Sequence, residues 1–140
     1  MKKTVFFGVL LIPSIMSASE LKISSYTCKT DHGLECIEGD NKDYIIPNNA
    51  FRVFVDENTN PPSLKFLNRG SEIKIHSIIV NEKQCKSDFK RYAGNSNLYI
   101  GGSWPTKEIN LMLSPNCLFK TLKVSLTDHY YDKYTIIYSK

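Results

Sequence analysis

Nowhere in this chain does an apolar pattern of helical period persist for three turns. Apolar residues recur instead at every second position, in short runs cut off by turn residues. Leu122, Val124 and Leu126 alternate with Lys123, Ser125 and Thr127, and Tyr134, Ile136 and Tyr138 with Thr135 and Ile137. Phe51, Val53 and Val55 repeat the pattern, as do Ile109, Leu111 and Leu113; Ile73 and Ile75 run into Ile78-Ile79-Val80. Residues 21–26, 34–37, 44–46 and 64–67 are shorter candidates. A strand sends successive side chains to opposite faces, so such runs bury one face and wet the other. Gly39-Asp40-Asn41, Pro47-Asn48-Asn49, Asn58-Thr59-Asn60-Pro61-Pro62, Asn68-Arg69-Gly70 and Ser114-Pro115-Asn116 separate them. Roughly seven to nine short strands at this spacing predict an all-β fold, an antiparallel β-sandwich of Ig-like layout. Residues 87–92 suffice for a helical turn or two, and Asp128-His129-Tyr130-Tyr131-Asp132 is the expected loop of a terminal hairpin.

The first residues belong to a different kind of segment. Met1-Lys2-Lys3 is basic, Val5-Phe6-Phe7-Gly8-Val9-Leu10-Leu11-Ile12 is free of charge, and Ser17-Ala18-Ser19 follows Pro13 with small residues. That order is the signature of a secretory signal peptide, residues 1–19, cleaved before Glu20. The apolar stretch is too short to span a bilayer, which takes about 20 residues, so no stable membrane anchor is expected. The form of the leader points to a Gram-negative bacterium and to a periplasmic or secreted destination. Residues 20–140 then make a single domain, expected to be a monomer when free. Cleavage takes Lys2 and Lys3 away and lowers the formal charge from +4 to +2. Lys90-Arg91 is the one adjacent basic pair left, so the sequence displays no basic stripe and nucleic acid is not an expected partner.

Cys28, Cys36, Cys85 and Cys117 all lie beyond the leader. An even number of cysteines in a small exported domain predicts disulfides. Cys28–Cys36 is favoured because the pair flanks the polar turn Thr30-Asp31-His32-Gly33, and a hairpin there brings the two into cross-strand reach. Cys85–Cys117 takes the remaining two.

Searching for chemistry turns up little. His32, His76 and His129 have no mutual spacing suited to a metal. Ser103 in Gly101-Gly102-Ser103-Trp104-Pro105 lacks the strand–turn–helix setting of a nucleophile elbow, and oxidised cysteines cannot act as nucleophiles. Asp56-Glu57-Asn58-Thr59-Asn60 begins like a calcium loop, but Pro61 stands where such a loop needs Gly and Leu67 where it needs Glu. No catalytic residue, metal or cofactor is therefore expected. A small secreted hydrolase built on a carboxylate pair is the least favoured reading.

Aromatic residues are the distinctive remainder. Trp104 sits in a Gly-rich loop, and Tyr130 and Tyr131, beside His129, occupy the terminal hairpin loop. Aromatics on loops anchor recognition, so Trp104, His129, Tyr130 and Tyr131 are the candidate binding residues. Tyr134 and Tyr138 alternate along a strand and are expected in the core. Tyr26-Thr27-Cys28 resembles a segment of small periplasmic lysozyme inhibitors, although the S-G-x-x-Y loop of that family has no counterpart here. The expected function is non-enzymatic binding of another exported or envelope protein, as an inhibitor, immunity-type or accessory protein. The alternative is a structural subunit of a pilus, adhesin or secretion assembly, which should leave an open strand edge.

Overall fold

The computed structural model describes residues 18–37 and 50–140. Alternation is converted into strands nearly everywhere it occurs: β1 (Ala18–Glu20), β2 (Lys22–Lys29), β3 (Phe51–Asp56), β4 (Ser63–Asn68), β5 (Ile73–Val80), β6 (Leu98–Ile100), β7 (Glu108–Met112), β8 (Thr121–Thr127) and β9 (Lys133–Ser139). They pair antiparallel in two sheets, β1-β3-β4-β7 and β2-β9-β8-β5-β6. β1 and β2 are one strand broken at Leu21, which lets the chain pass from the first sheet to the second. The link from β5 to β6 carries a tight turn, Asn81–Lys83, and a short helix, α1 (Phe89–Ala93), where residues 87–92 had promised one.

The core follows from the period of two. Val53, Val55, Leu64, Phe66 and Leu111 from one sheet are buried against Ile73, Ile75, Leu122, Val124, Leu126 and Ile136 from the other. Burying each such side chain contributes about 1.5–3 kcal/mol. Tyr134 and Tyr138 are buried as their alternation required, and burial pushes the Tyr138 phenol up. Asn68 is fully buried among these apolar residues. It donates to the Ser71 and Ile100 carbonyls and accepts from the Gly70 N–H, tying the β4–β5 turn to β6.

Both disulfides form as expected, Cys28–Cys36 and Cys85–Cys117, with Cα atoms 5.5 and 5.9 Å apart. Two details differ. Residues 34–37 form no strand: one bridge, Lys29 to Glu35, replaces a hairpin arm, and Leu34 and Ile37 are left exposed. The Thr30 N–H donates to the Leu34 carbonyl and the Thr30 hydroxyl accepts the Leu34 N–H, so the segment closes into a tight loop with no sheet to face. β6 was not foreseen, because three residues running into Gly101-Gly102 are too short to display a period. The candidate strand 44–46, the turns 39–41 and 47–49, and residues 1–17 of the leader lie outside the described residues. Ala18 and Ser19 pair with Asp56 and Val55 at the start of β1, while Leu21, just past the expected cleavage point, donates its N–H to Val53 and is buried.

Candidate functional site

The five-stranded sheet turns one face to the core and the other outward, and its register sorts the outward residues into rows. Lys29, Lys133, Thr127, Lys74 and Tyr99 form one row across all the strands. Thr27, Thr135, Ser125 and Ser77 form the next, a ladder of four hydroxyls. Ser25, Ile137, Lys123 and Ile79 form a third. Together with Lys22, the strands of this sheet carry five lysines, Lys22, Lys29, Lys74, Lys123 and Lys133, and not one carboxylate.

The four-stranded sheet is built on the opposite charge logic. Its strands hold Glu20, Asp56 and Glu108 against Arg52 and Lys65. Arg52 grips Glu20 with two hydrogen bonds of 2.6 and 3.0 Å, and these, more than simple attraction, hold the Glu20 carboxyl below its usual range. Phe54 lies beneath both cations, Arg52 at 5.4 Å and Lys65 at 5.2 Å. The strands of one sheet thus mix both charges and those of the other carry lysine alone, with Glu35 bridged to Lys29 from the loop beyond β2.

Lys29 and Lys133 stand directly opposite each other on paired strands. Like charges in that position are destabilising by roughly 0.2–1 kcal/mol. His76, at the β5 bulge, has its two ring nitrogens against Asn97 Oδ1 at 2.8 Å and Thr127 Oγ1 at 2.6 Å.

The aromatic residues selected from the sequence border this face. Tyr99 ends the lysine row, Lys74 Nζ lies 5.8 Å from its ring centroid, and Trp104 stacks on it at 4.9 Å with the planes 30° apart. Trp104 is 42% exposed, and its ring is ordered by Tyr99 rather than sunk into the core. Two glycines make its loop. Gly101 and Gly102 have φ of 91° and 61°, and a Cβ on Gly101 would meet Asn68 Nδ2 at 2.1 Å.

His129, Tyr130 and Tyr131 sit at the same end of the sheet, since β8 and β9 leave it just beyond the row that contains Thr127 and Lys133. His129 and Tyr130 meet edge to face at 5.1 Å. The structure therefore joins Trp104 to Tyr99 and His129 to Tyr130, on two separate loops at one end. Asp128 builds the hairpin loop: its Oδ1 accepts the N–H groups of Tyr130 and Asp132, and its own N–H donates to the Asp132 carbonyl. Tyr131 donates to the Asp128 carbonyl and has φ of 65°, the position where a three-residue hairpin loop takes Gly. A tyrosine there costs about 1–2 kcal/mol of backbone strain while its side chain is 67% exposed and packs on little. Replacing Tyr131 by Gly is expected to raise stability by about 1 kcal/mol, net of the greater freedom of the unfolded glycine chain. A thermal melt of the single variant checks this, and a loss of stability would show that the ring packs after all.

The other polar candidates are already engaged. Asp31 and His32 pair at 3.6 Å, both well exposed. In the stretch that begins like a calcium loop, Asp56 accepts the Asn58 N–H, Glu57 accepts from Phe119 N–H and Lys140, and Asn60 bonds Asn116. Asp132 lies beside Cys28 and Cys36, but their sulfurs are bonded to each other and offer a metal no thiolate. Sequence reasoning missed the lysine face because it looked for a run of basic residues. The usable signal was the outward half of the strands of this one sheet, where Lys and Ser or Thr recur and Asp and Glu do not. No protein-family model, curated protein or solved structure matches the chain.

Proposed function

We propose that this chain is an exported, non-enzymatic domain that works by binding an acidic surface of another exported or envelope protein, as an inhibitor, immunity-type or accessory protein. The observation that carries the reading is the lysine and hydroxyl face of the five-stranded sheet, with five lysines, no carboxylate on its strands and Lys29 set against Lys133. Glu35 bridges to Lys29 from the loop beyond β2, but the register sets no carboxylate opposite Lys74, Lys123 or Lys133. An acidic partner supplies the missing charge and turns the repulsion into complementarity. Tyr130, Tyr131 and Trp104, exposed at one end of the same sheet, are suited to anchor it. The leader and the two disulfides favour an oxidising compartment, the periplasm or the outside of a Gram-negative cell. A second reading, a subunit of a surface assembly, draws support from the part of β5 beyond Ile75, which β6 leaves unpaired.

The experiment is capture from envelope extract with the exported form, whose N-terminus this reading puts at Glu20, followed by mass spectrometry. Wild type should retain a partner that salt releases. The pair Lys29→Glu and Lys133→Glu should lose it with no loss of fold, and Tyr130→Ala with Tyr131→Ala should weaken it by about 2 kcal/mol or more. Equal capture by wild type and the lysine pair would end the reading. Capture abolished by nuclease would give the face to nucleic acid instead.

A further inference from the structure

β6 is three residues long and pairs only with Ile73, Lys74 and Ile75, and Val80 is bridged by Cys85, so among the described residues β5 has an open edge at residues 76–79, about 13 Å long. The chain that leaves β5 touches this edge only at Val80, through Cys85, and does not cover residues 76–79. It turns at Asn81–Lys83, bridges to the end of β7 through Ser87 and Leu113, forms α1 and only then comes back as β6. A groove of about 720 Å³ opens between this excursion and β5.

The backbone of the open edge is oriented for pairing. Asp128 and Asp132 exchange a hydrogen bond across the β8–β9 hairpin, so counting back along β8 points the backbone groups of Ser125 and Lys123 toward β5. Their partners Ser77 and Ile79 face β8, which leaves the N–H and C=O of Ile78 directed into the groove. The Val80 carbonyl confirms the parity, since it accepts the Cys85 N–H on that same outer side.

Ile78, Val80 and Phe89 give the groove an apolar floor, and Lys83, Lys86 and Lys90 line it without any carboxylate. The neighbouring acid Asp88 is turned away, accepting the Met112 N–H at 2.8 Å. Asn81, Glu82 and Lys83 all have positive φ, 49°, 53° and 80°, a sharp turn that the Asn81 side chain fastens to Leu118, Lys120 and Thr121.

We propose that this groove binds an extended acidic polypeptide segment, which adds to β5 as an extra strand, hydrogen-bonds Ile78 and sets its carboxylates against Lys83, Lys86 and Lys90. Main-chain bonds to an open edge supply affinity in this mode, and flanking side chains supply selectivity. Three lysines with no acid among the lining residues select a carboxylate-bearing strand. The site is separate from the lysine row of the sheet face and does not depend on that row binding anything.

The test is a titration of the mature protein with an acetylated, amidated peptide of about eight residues alternating Val and Asp, followed by amide NMR and hydrogen exchange. Saturable shifts should centre on β5 beyond Ile75, and exchange at the Ile78 amide should slow at least tenfold. The combined Lys83→Glu, Lys86→Glu and Lys90→Glu variant should weaken binding at least tenfold. Asn95→Glu, which adds a carboxylate to the groove and removes no lysine, should weaken it too. Lys29→Glu with Lys133→Glu should leave it unchanged, which separates this site from the sheet face. Equal binding of a Val and Lys peptide, shifts confined to the lysine row, or unslowed exchange at Ile78 would each overturn the proposal.

Discussion

Replacing Asn81 by Ala is expected to cost about 3–4 kcal/mol of stability. Asn81 is buried, donates to the Leu118 carbonyl at 2.7 Å, and accepts the N–H groups of Lys120 and Thr121 at 2.7 and 3.0 Å. One side chain thus docks the entry to β8 onto the turn after β5. Alanine strands two N–H groups and a carbonyl without replacement, and each stranded group costs about 1–3 kcal/mol where water cannot reach it. Alanine also tolerates a φ of 49° less well than asparagine does. Chemical denaturation measures the loss. Asn81→Asp, which keeps the acceptor and gives up the donor, should fall between wild type and alanine. A loss below about 1 kcal/mol for alanine would mean that water replaces the side chain.

Removing Cys85–Cys117 by double replacement with Ala should cost about 3.7 kcal/mol, against about 2.6 kcal/mol for Cys28–Cys36, if the entropy of the closed loop governs. The sequence separations are 32 and 8 residues. Position in the fold points the same way. Cys117 belongs to the core and its bridge fastens the turn after β5 to the approach to β8, whereas Cys28–Cys36 closes a surface loop at the end of edge strand β2. Denaturation of the two double variants decides it, and an equal or reversed order would show that loop length is not the controlling factor. Asn81 Nδ2 lies 3.4 Å from Cys85 Sγ, so combining Asn81→Ala with loss of this bridge should cost less than the two changes summed.

Much of the fold was legible because its signals are local. The period of two marked β3, β7, β8 and β9 and told core tyrosines from loop tyrosines: Tyr134 and Tyr138 are buried while Tyr130 and Tyr131 are exposed. The cysteine pairing was legible for a similar reason, since a polar turn between Cys28 and Cys36 left Cys85 and Cys117 as the other pair. Where the local signal was weak the expectation failed. Leu34 and Ile37 look like strand residues, yet what makes a strand is a neighbour to pair with, and Glu35 finds one bridge only. β6 gave no signal at all and exists because β5 offers it an edge.

The candidate site divides the same way. Trp104, His129, Tyr130 and Tyr131 could be picked from the chain, because turn residues and aromatic rings announce an exposed loop. Tyr99, which orders Trp104, could not. By itself the sequence determined most of the strands and which side of each is apolar, and it favoured the cysteine pairing that forms, all consequences of chemistry within a few residues. The tertiary structure alone decided that Lys29 faces Lys133, that Lys74 lies in their row, and that among the described residues β5 keeps half an edge open. Strand order and register bring together residues far apart along the chain, and no local pattern encodes which strand lies beside which.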